Sequence, residues 1–166
     1  MGKRLKILVS AYACNPYQGS EEGVGWGWVN AIGRHHEVWV FSAEFHRPDI
    51  RRAVAADPPR FDNLHFHYVP HKPWHYHPSG MWRTIEDSLF KPIMHQAYRL
   101  WLRDAAEIGQ RFHRRVGFDL VHQLTYVSFR FPGHLWKLNV PFVWGPPVRQ
   151  GAQPAAGSPG PFGFAG

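Results

Sequence analysis

Lys6-Ile7-Leu8-Val9-Ser10-Ala11, then Gly19-Ser20-Glu21-Glu22-Gly23-Val24-Gly25-Trp26, then Glu37-Val38-Trp39-Val40-Phe41: these three pieces decide the fold. The first is a short apolar run of the kind that forms a strand buried on both faces. The second is a glycine-bearing loop that opens a helix. Ser20 is placed to cap that helix, with Gly23 three residues on in place of the glutamate of a capping box. The helix is expected to run to Ile32, with Gly33 ending it. The third piece reads as a second strand. Strand, glycine loop, helix and strand in that order make a βαβ unit.

The alternation continues along the chain. Pro48 to Ala56 reads as a short helix started by proline, and Leu64 to Val69 as a third strand. Residues 70–80, rich in Pro, His and Trp, read as a loop. From Thr84 to Arg114 the apolar residues Ile85, Leu89, Ile93, Ala97, Leu100, Trp101, Ala105, Ile108 and Phe112 recur at helical spacing, and Pro92 is expected to kink or split that helix. Phe118 to Leu124 reads as a fourth strand, Phe131 to Leu138 as a short broken helix, and Val140 to Trp144 as a fifth strand. The prediction is an α/β fold, an open parallel sheet with helices on both faces. Such sheets bind ligands beyond the carboxyl ends of their strands, here residues 14–23, residues 124–130 and the segment after Gly145.

The 166 residues suit one domain, residues 1–146, followed by a tail. Residues 147–166 hold five Gly, four Pro and four Ala without periodicity, so the tail is expected to be disordered. No apolar run approaches the roughly 18 residues that span a bilayer. Cys14 is the only cysteine, which rules out an internal disulfide and suits a reducing, cytoplasmic setting. The net charge of +7 favours phosphate-bearing partners without choosing among them. Lys and Arg are dispersed apart from a cluster at Arg111 to Arg115, and no basic stripe is interleaved with aromatics, so no nucleic-acid partner is expected.

The loop from Gly19 to Trp26 lets backbone approach a ligand and aims free helix N–H groups at it. It also fits a tight turn with close helix–sheet packing and no ligand. The dinucleotide fingerprint fails, because its third glycine would fall at Trp28. That disfavours a nicotinamide-dependent oxidoreductase, although Glu37 or Glu44 stands where a ribose-binding acid could be sought. A larger resemblance extends the reading. Ala11-Tyr12-Ala13-Cys14-Asn15-Pro16 with the glycine loop, Phe118-Asp119-Leu120-Val121-His122-Gln123-Leu124-Thr125-Tyr126-Val127-Ser128, and Leu135-Trp136-Lys137-Leu138 with Val140-Pro141-Phe142-Val143-Trp144-Gly145-Pro146 together resemble the N-terminal domain of glycosyltransferase family 4 enzymes, over residues 5–146.

The resemblance implies a Rossmann-like half of a GT-B fold. It implies a retaining enzyme that moves a sugar from a nucleotide-sugar donor to the hydroxyl of a glycan or lipid-linked acceptor, with no metal and no cofactor. In that family the first domain mainly holds the acceptor, and a second domain, absent from this sequence, holds the donor nucleotide. By position, Gly19, Ser20, Glu21, Glu22, Gly23 and Gly25 would lie against the donor diphosphate and transferred sugar, with Glu21 and Glu22 meeting hydroxyls or complementing the helix start. His122 and Thr125 would stand near the sugar, His122 as a hydrogen-bonding group rather than a base, or else bonded only to backbone. A fragment of this kind is expected to be inactive alone. The alternative is a free-standing Rossmann-type nucleotide- or phosphate-binding module. After Gly145-Pro146 relatives continue with Val and a run of glycines, whereas this chain reads Pro147-Val148-Arg149-Gln150, so a frameshift or truncation near residue 146 is expected.

Other constellations are weaker. His65, His67, His71, His75 and His77 crowd one region, where a zinc site competes with a surface loop. Trp74, Tyr76, Trp82, Phe90 and Tyr98 with nearby Lys and Arg suit either core packing or a peripheral membrane contact at the inner face. Ser10 and Ser128 lack the G-x-S-x-G elbow. Cys14 is either a packing residue or a thiol activated by the nearby helix start.

Overall fold

A computed structural model describes residues 3–70, 87–125 and 132–145, with side chains described except at 87–95 and 125. The expectations for most of the 70–80 loop, for the helix start at Thr84, for residues 126–131 and for the 147–166 tail lie outside the described residues. Five strands, β1 (Lys6–Ala11), β2 (Glu37–Ala43), β3 (Leu64–Val69), β4 (Leu120–Thr125) and β5 (Phe142–Trp144), form one sheet. All pairings are parallel, in the order β3-β2-β1-β4-β5. The α-helices among the described residues are α1 (Ser20–Gly33), α2 (Arg47–Ala56) and α3 (Asp87–Val116).

Alternation along each strand sends successive side chains to opposite faces. On one face Ile7, Val9, Val38, Val40, Leu64 and Leu124 pack with Val29 of α1 and Ile50 of α2. On the other Leu8, Phe41, Val69 and Val121 pack with Tyr98, Trp101 and Ala105 of α3 and with Leu135 and Leu138. Both faces are covered, which is why β1 reads as an unbroken apolar run. The chain leaves β1 toward β2 on one side and β4 toward β5 on the other. The carboxyl ends of β1 and β4 therefore form the switch point where doubly wound sheets hold ligands.

Four local expectations change. Ser20 does not cap α1: Gly19 takes the N-cap position without any side-chain cap, and Ser20 is the first helical residue at φ 56°. The chain turns tightly there because Asn15 N–H is already tied to Glu22 O at 3.1 Å. Pro92 does not split α3, which runs unbroken from Asp87 to Val116. Only the opening turn precedes this proline, so the backbone bond it removes lies near the frayed end. The helix expected over Phe131 to Leu138 contracts to a 3-10 turn, Leu135–Leu138, closed by Asn139 in the left-handed region. The fourth strand starts at Leu120; Asp119 before it gives its N–H to Lys6 O at 2.8 Å and sets its carboxylate on Lys6 N–H at 2.8 Å and Lys3 Nζ at 3.2 Å.

Helix α1 lies close on β1. A Cβ built on Gly25 would stand 2.1 Å from Ala13 O, and one on Gly23 2.8 Å from Gln18 O. Both glycines thus have a packing reason. Gly25→Ala is expected to destabilise the chain by about 3 kcal/mol, since backbone rather than a side-chain tip must give way. Ser20→Gly is expected to stabilise it by about 1 kcal/mol by removing a left-handed serine. Urea unfolding midpoints at equal m-values check both signs.

Candidate functional site

The site is built from the carboxyl ends of β1, β2 and β4. After β1 the chain stays buried through Tyr12, Ala13, Cys14 and Asn15 before it surfaces at Tyr17. A buried asparagine must satisfy its amide. Asn15 Nδ2 donates to Asp49 Oδ2 at 2.9 Å and lies 3.3 Å from His46 Nδ1, while its Oδ1 accepts from Tyr17 N–H at 2.9 Å. Asp49 holds Arg52 at 3.2 Å, and the Arg52 guanidinium lies 4.1 Å over the Tyr17 ring. This network ties the glycine loop to α2.

His46 is only 3% exposed. Burial pushes its pKa down to about 4, opposed by the Glu22 and Asp49 carboxylates. A neutral ring leaves Nδ1 as the acceptor for Asn15 and puts the ring proton on Nε2. Asn15, His46 and Asp49 were not singled out from the sequence as site residues. The contacts join positions 31 and 34 residues apart, and no local periodicity encodes them.

The residues expected to bind substrate fall around this network. Gly19 and Ser20 are exposed, and Glu21, Glu22 and Gly23 are half-buried in the first turn of α1. Gly25 is buried against β1. Among the described residues nothing lies within 4 Å of a Cβ placed on Gly19, so none of them requires glycine there. The N-terminal end of the helix attracts anions, while two carboxylates in its first turn offset that field. Such a helix start suits sugar hydroxyls better than a bare phosphate. Thr125 ends β4 beside Ala11 of β1, so its backbone reaches the same crevice.

His122 lies deeper, opposite Val9 rather than at the strand end. Its Nε2 meets Gly145 O at 2.7 Å, and the Trp28 ring stands edge-on at 6.1 Å between centroids. Burial pushes its pKa down, and the Gly145 carbonyl pulls it partly back. The ring is therefore a neutral donor to backbone, with Nδ1 left as an acceptor. Its bond to Gly145 ties the start of the post-β5 segment to β4, together with Gly145 N–H to Gln123 O at 3.1 Å.

Other expectations resolve by placement. Cys14 is fully buried, and burial pushes its thiol up to about 12, so it is a packing residue and not an activated thiol. His65 pairs with Glu37 at 3.2 Å, and His67 packs against Phe41 and Phe112. Among the described residues no group of three His, Cys, Asp or Glu could hold a metal ion. His71, His75 and His77 lie outside the described residues, as do Trp74, Tyr76 and Trp82. Glu37 begins β2, at the opposite end from the glycine loop, while Glu44 follows β2 and pairs with Arg47 at 3.7 Å. Arg114 and Arg115 close the last turn of α3, far from the crevice, where they complement the helix dipole. Among the described residues no helix is long and apolar enough to cross a membrane.

No protein-family model matches the chain, and no curated protein matches it. Solved structures do. UGT73P12 of Glycyrrhiza uralensis, a plant UGT of the GT-B fold solved with glycyrrhetinic acid 3-O-monoglucuronide, matches 86% of this chain at TM-score 0.54 and 15% identity. This chain spans 28% of that protein's length. The fold is thus the open, all-parallel, Rossmann-like sheet of such chains. The C-terminal domain of a Pyrococcus furiosus hydrogenase matches 87% of the chain at TM-score 0.44 and 18% identity.

The His46 environment generates a pH prediction. Its folded pKa lies below its unfolded value, so the unfolded chain binds the proton first. Stability is full above 6.5 and falls as pH drops toward about 4. Urea unfolding across this window is expected to show that decline, and His46→Gln to flatten it, leaving a smaller slope from His67 and His122, whose pKa values burial also lowers.

Proposed function

We propose that this chain is the acceptor-side, Rossmann-like half of a retaining glycosyltransferase. The reaction moves a sugar from a nucleotide-sugar to the hydroxyl of a glycan or lipid-linked acceptor. Residues that grip the donor nucleotide lie outside these 166 residues, so the chain alone does not turn over.

One observation carries this reading. The crevice at the carboxyl ends of β1 and β4 combines a glycine, Gly19, whose side-chain space no described residue fills, with a helix start whose anion-attracting field is offset by two carboxylates. That combination fits a neutral, hydroxyl-rich group better than a free phosphate, and it disfavours a free-standing phosphate-binding module. The likeness in fold to a plant UGT supports the same reading. The order of the three family-4-like segments supports it as well.

In this proposal the N–H groups from Gly19 to Gly23 line the side of the transferred sugar, and Glu21 and Glu22 accept bonds from hydroxyls. Gly25 sets how near α1 comes, and Thr125 edges the crevice from β4. His122 enters as a neutral hydrogen-bonding group that steadies Gly145 and the wall behind the sugar. Retention at the anomeric carbon, and a peripheral contact at the inner membrane face, belong to the proposal on the family resemblance.

Ligand-dependent thermal unfolding tests it. A Rossmann cofactor domain gains stability from a dinucleotide present above its dissociation constant. This chain is expected to melt at the same temperature with and without NAD, and to release no sugar from UDP-glucose or GDP-mannose unaided. A rise in Tm with NAD, or turnover of either donor by the chain alone, contradicts the proposal.

A further inference from the structure

On the α3 face of the sheet, away from α1, a half-open groove of about 630 Å³ separates α3 from the Pro132–Trp136 segment. Its size falls in the range of small-molecule sites. Leu100, Leu102 and Pro132 give it apolar walls, and Arg99, Arg103 and His134 give it polar ones. None of its lining residues is Asp or Glu.

Arg99 and Arg103 are four residues apart on α3 and share one face of it. Arg99 has no ion-pair or hydrogen-bond partner among the described residues. Among the described residues Arg103 has only long contacts, to its half-buried chain neighbour Asp104 at 3.6 Å and to the exposed Glu107 one turn on at 3.9 Å. Exposed pairs of that length hold a guanidinium weakly and yield to a stronger acceptor. Trp136 stands at the rim, 52% exposed. Its Nε1–H donates to Gly133 O at 3.2 Å, which fixes the ring, and Lys137 Nζ lies 5.5 Å from its centroid. Two guanidiniums, a further cation at the rim, an imidazole and a fixed indole around an uncharged wall favour an anion carried on a compact polar body. Guanidiniums bind phosphate oxygens in paired bonds.

We propose that this groove binds the phosphate ester of a polyol, with Arg99 and Arg103 on the phosphate and Trp136 beside the polyol. The site does not depend on sugar transfer: it lies on the α3 face, whereas the glycine loop feeds α1 on the other. The same chemistry occurs in a sugar phosphate and in a glycerophospholipid headgroup, and the test separates them.

The 166-residue chain is titrated with glucose 1-phosphate while the indole N–H of Trp136 and the Nε–H signals of Arg99 and Arg103 are followed by NMR. In parallel it is sedimented with phosphatidylcholine vesicles and with phosphatidylcholine–phosphatidylglycerol vesicles. Arg99→Gln/Arg103→Gln is compared with Arg114→Gln/Arg115→Gln, which removes the same charge from exposed positions at the far end of α3. Saturable shifts with glucose 1-phosphate, weakened about tenfold only by the groove variant, establish a sugar-phosphate site. Sedimentation with the phosphatidylglycerol vesicles alone, lost only in the groove variant, establishes a headgroup site of the same chemistry. Absence of both responses, or equal losses in the two variants at unchanged melting temperature, overturns the proposal.

Discussion

The close seat of α1 on β1 is the constraint on which the rest depends. Only a residue without a side chain lets Gly25 sit against Ala13 O, since a Cβ there would lie at 2.1 Å. That approach brings the first turn of α1 over the carboxyl end of β1. It forces the chain between them into a buried course through Asn15 and a tight exit at Gly19 and Ser20. The exposed, left-handed Ser20 is a local strain that this geometry imposes.

The buried course has its own requirement, because an amide taken out of water needs partners. Asn15 finds them in Asp49 and His46, both from the segment after β2, and so couples two loops at the same end of the sheet. His46 and His122 remain neutral for the same reason, desolvation, and each spends its ring on holding backbone or amide in place. The crevice is therefore rigid on the β1–β2 side, where α2 braces the loop. On the β4–β5 side the bond from His122 to Gly145 does the bracing. At this end Arg47 and Arg52 are each paired with a carboxylate of their own segment, Glu44 and Asp49, while the Arg114–Arg115 pair sits at the other end of α3.

Legibility in the sequence followed the range of the interactions involved. β1 has the bounds that its apolar run predicts, because burial on both faces writes itself into consecutive residues, and β3 has those that its alternation predicts. The helix after the glycine loop was nearly as plain, expected between a Ser20 cap and Ile32 and found one residue longer at each end, Ser20–Gly33. The misses are places where a distant partner decides. Ser20 does not cap because Gly19 holds the N-cap position and Ser20 is already inside the helix, at a tight turn where Asn15 N–H meets Glu22 O, and the carboxylate of Asp119, just before the fourth strand, is set on Lys6 N–H. Of the site, Gly19 to Gly25 was visible as a glycine pattern, but the sequence left packing and ligand contact undivided. Coordinates divide them: Gly23 and Gly25 answer to backbone neighbours, and Gly19 answers to none among the described residues. The Asn15–His46–Asp49 network was not visible at all, since no spacing rule links residues more than thirty apart.

The empty space beside Gly19 is where the account is most exposed. Its φ of −82° suits any residue, so Gly19→Val adds bulk to the crevice without straining the backbone. The decisive measurement is sugar transfer by this chain joined to a donor-binding half, with Gly19 intact and replaced. The account predicts an unchanged melting temperature and a loss of kcat/KM of about a hundredfold, as expected when a reacting group is displaced. Transfer at the original rate with valine in place would contradict it.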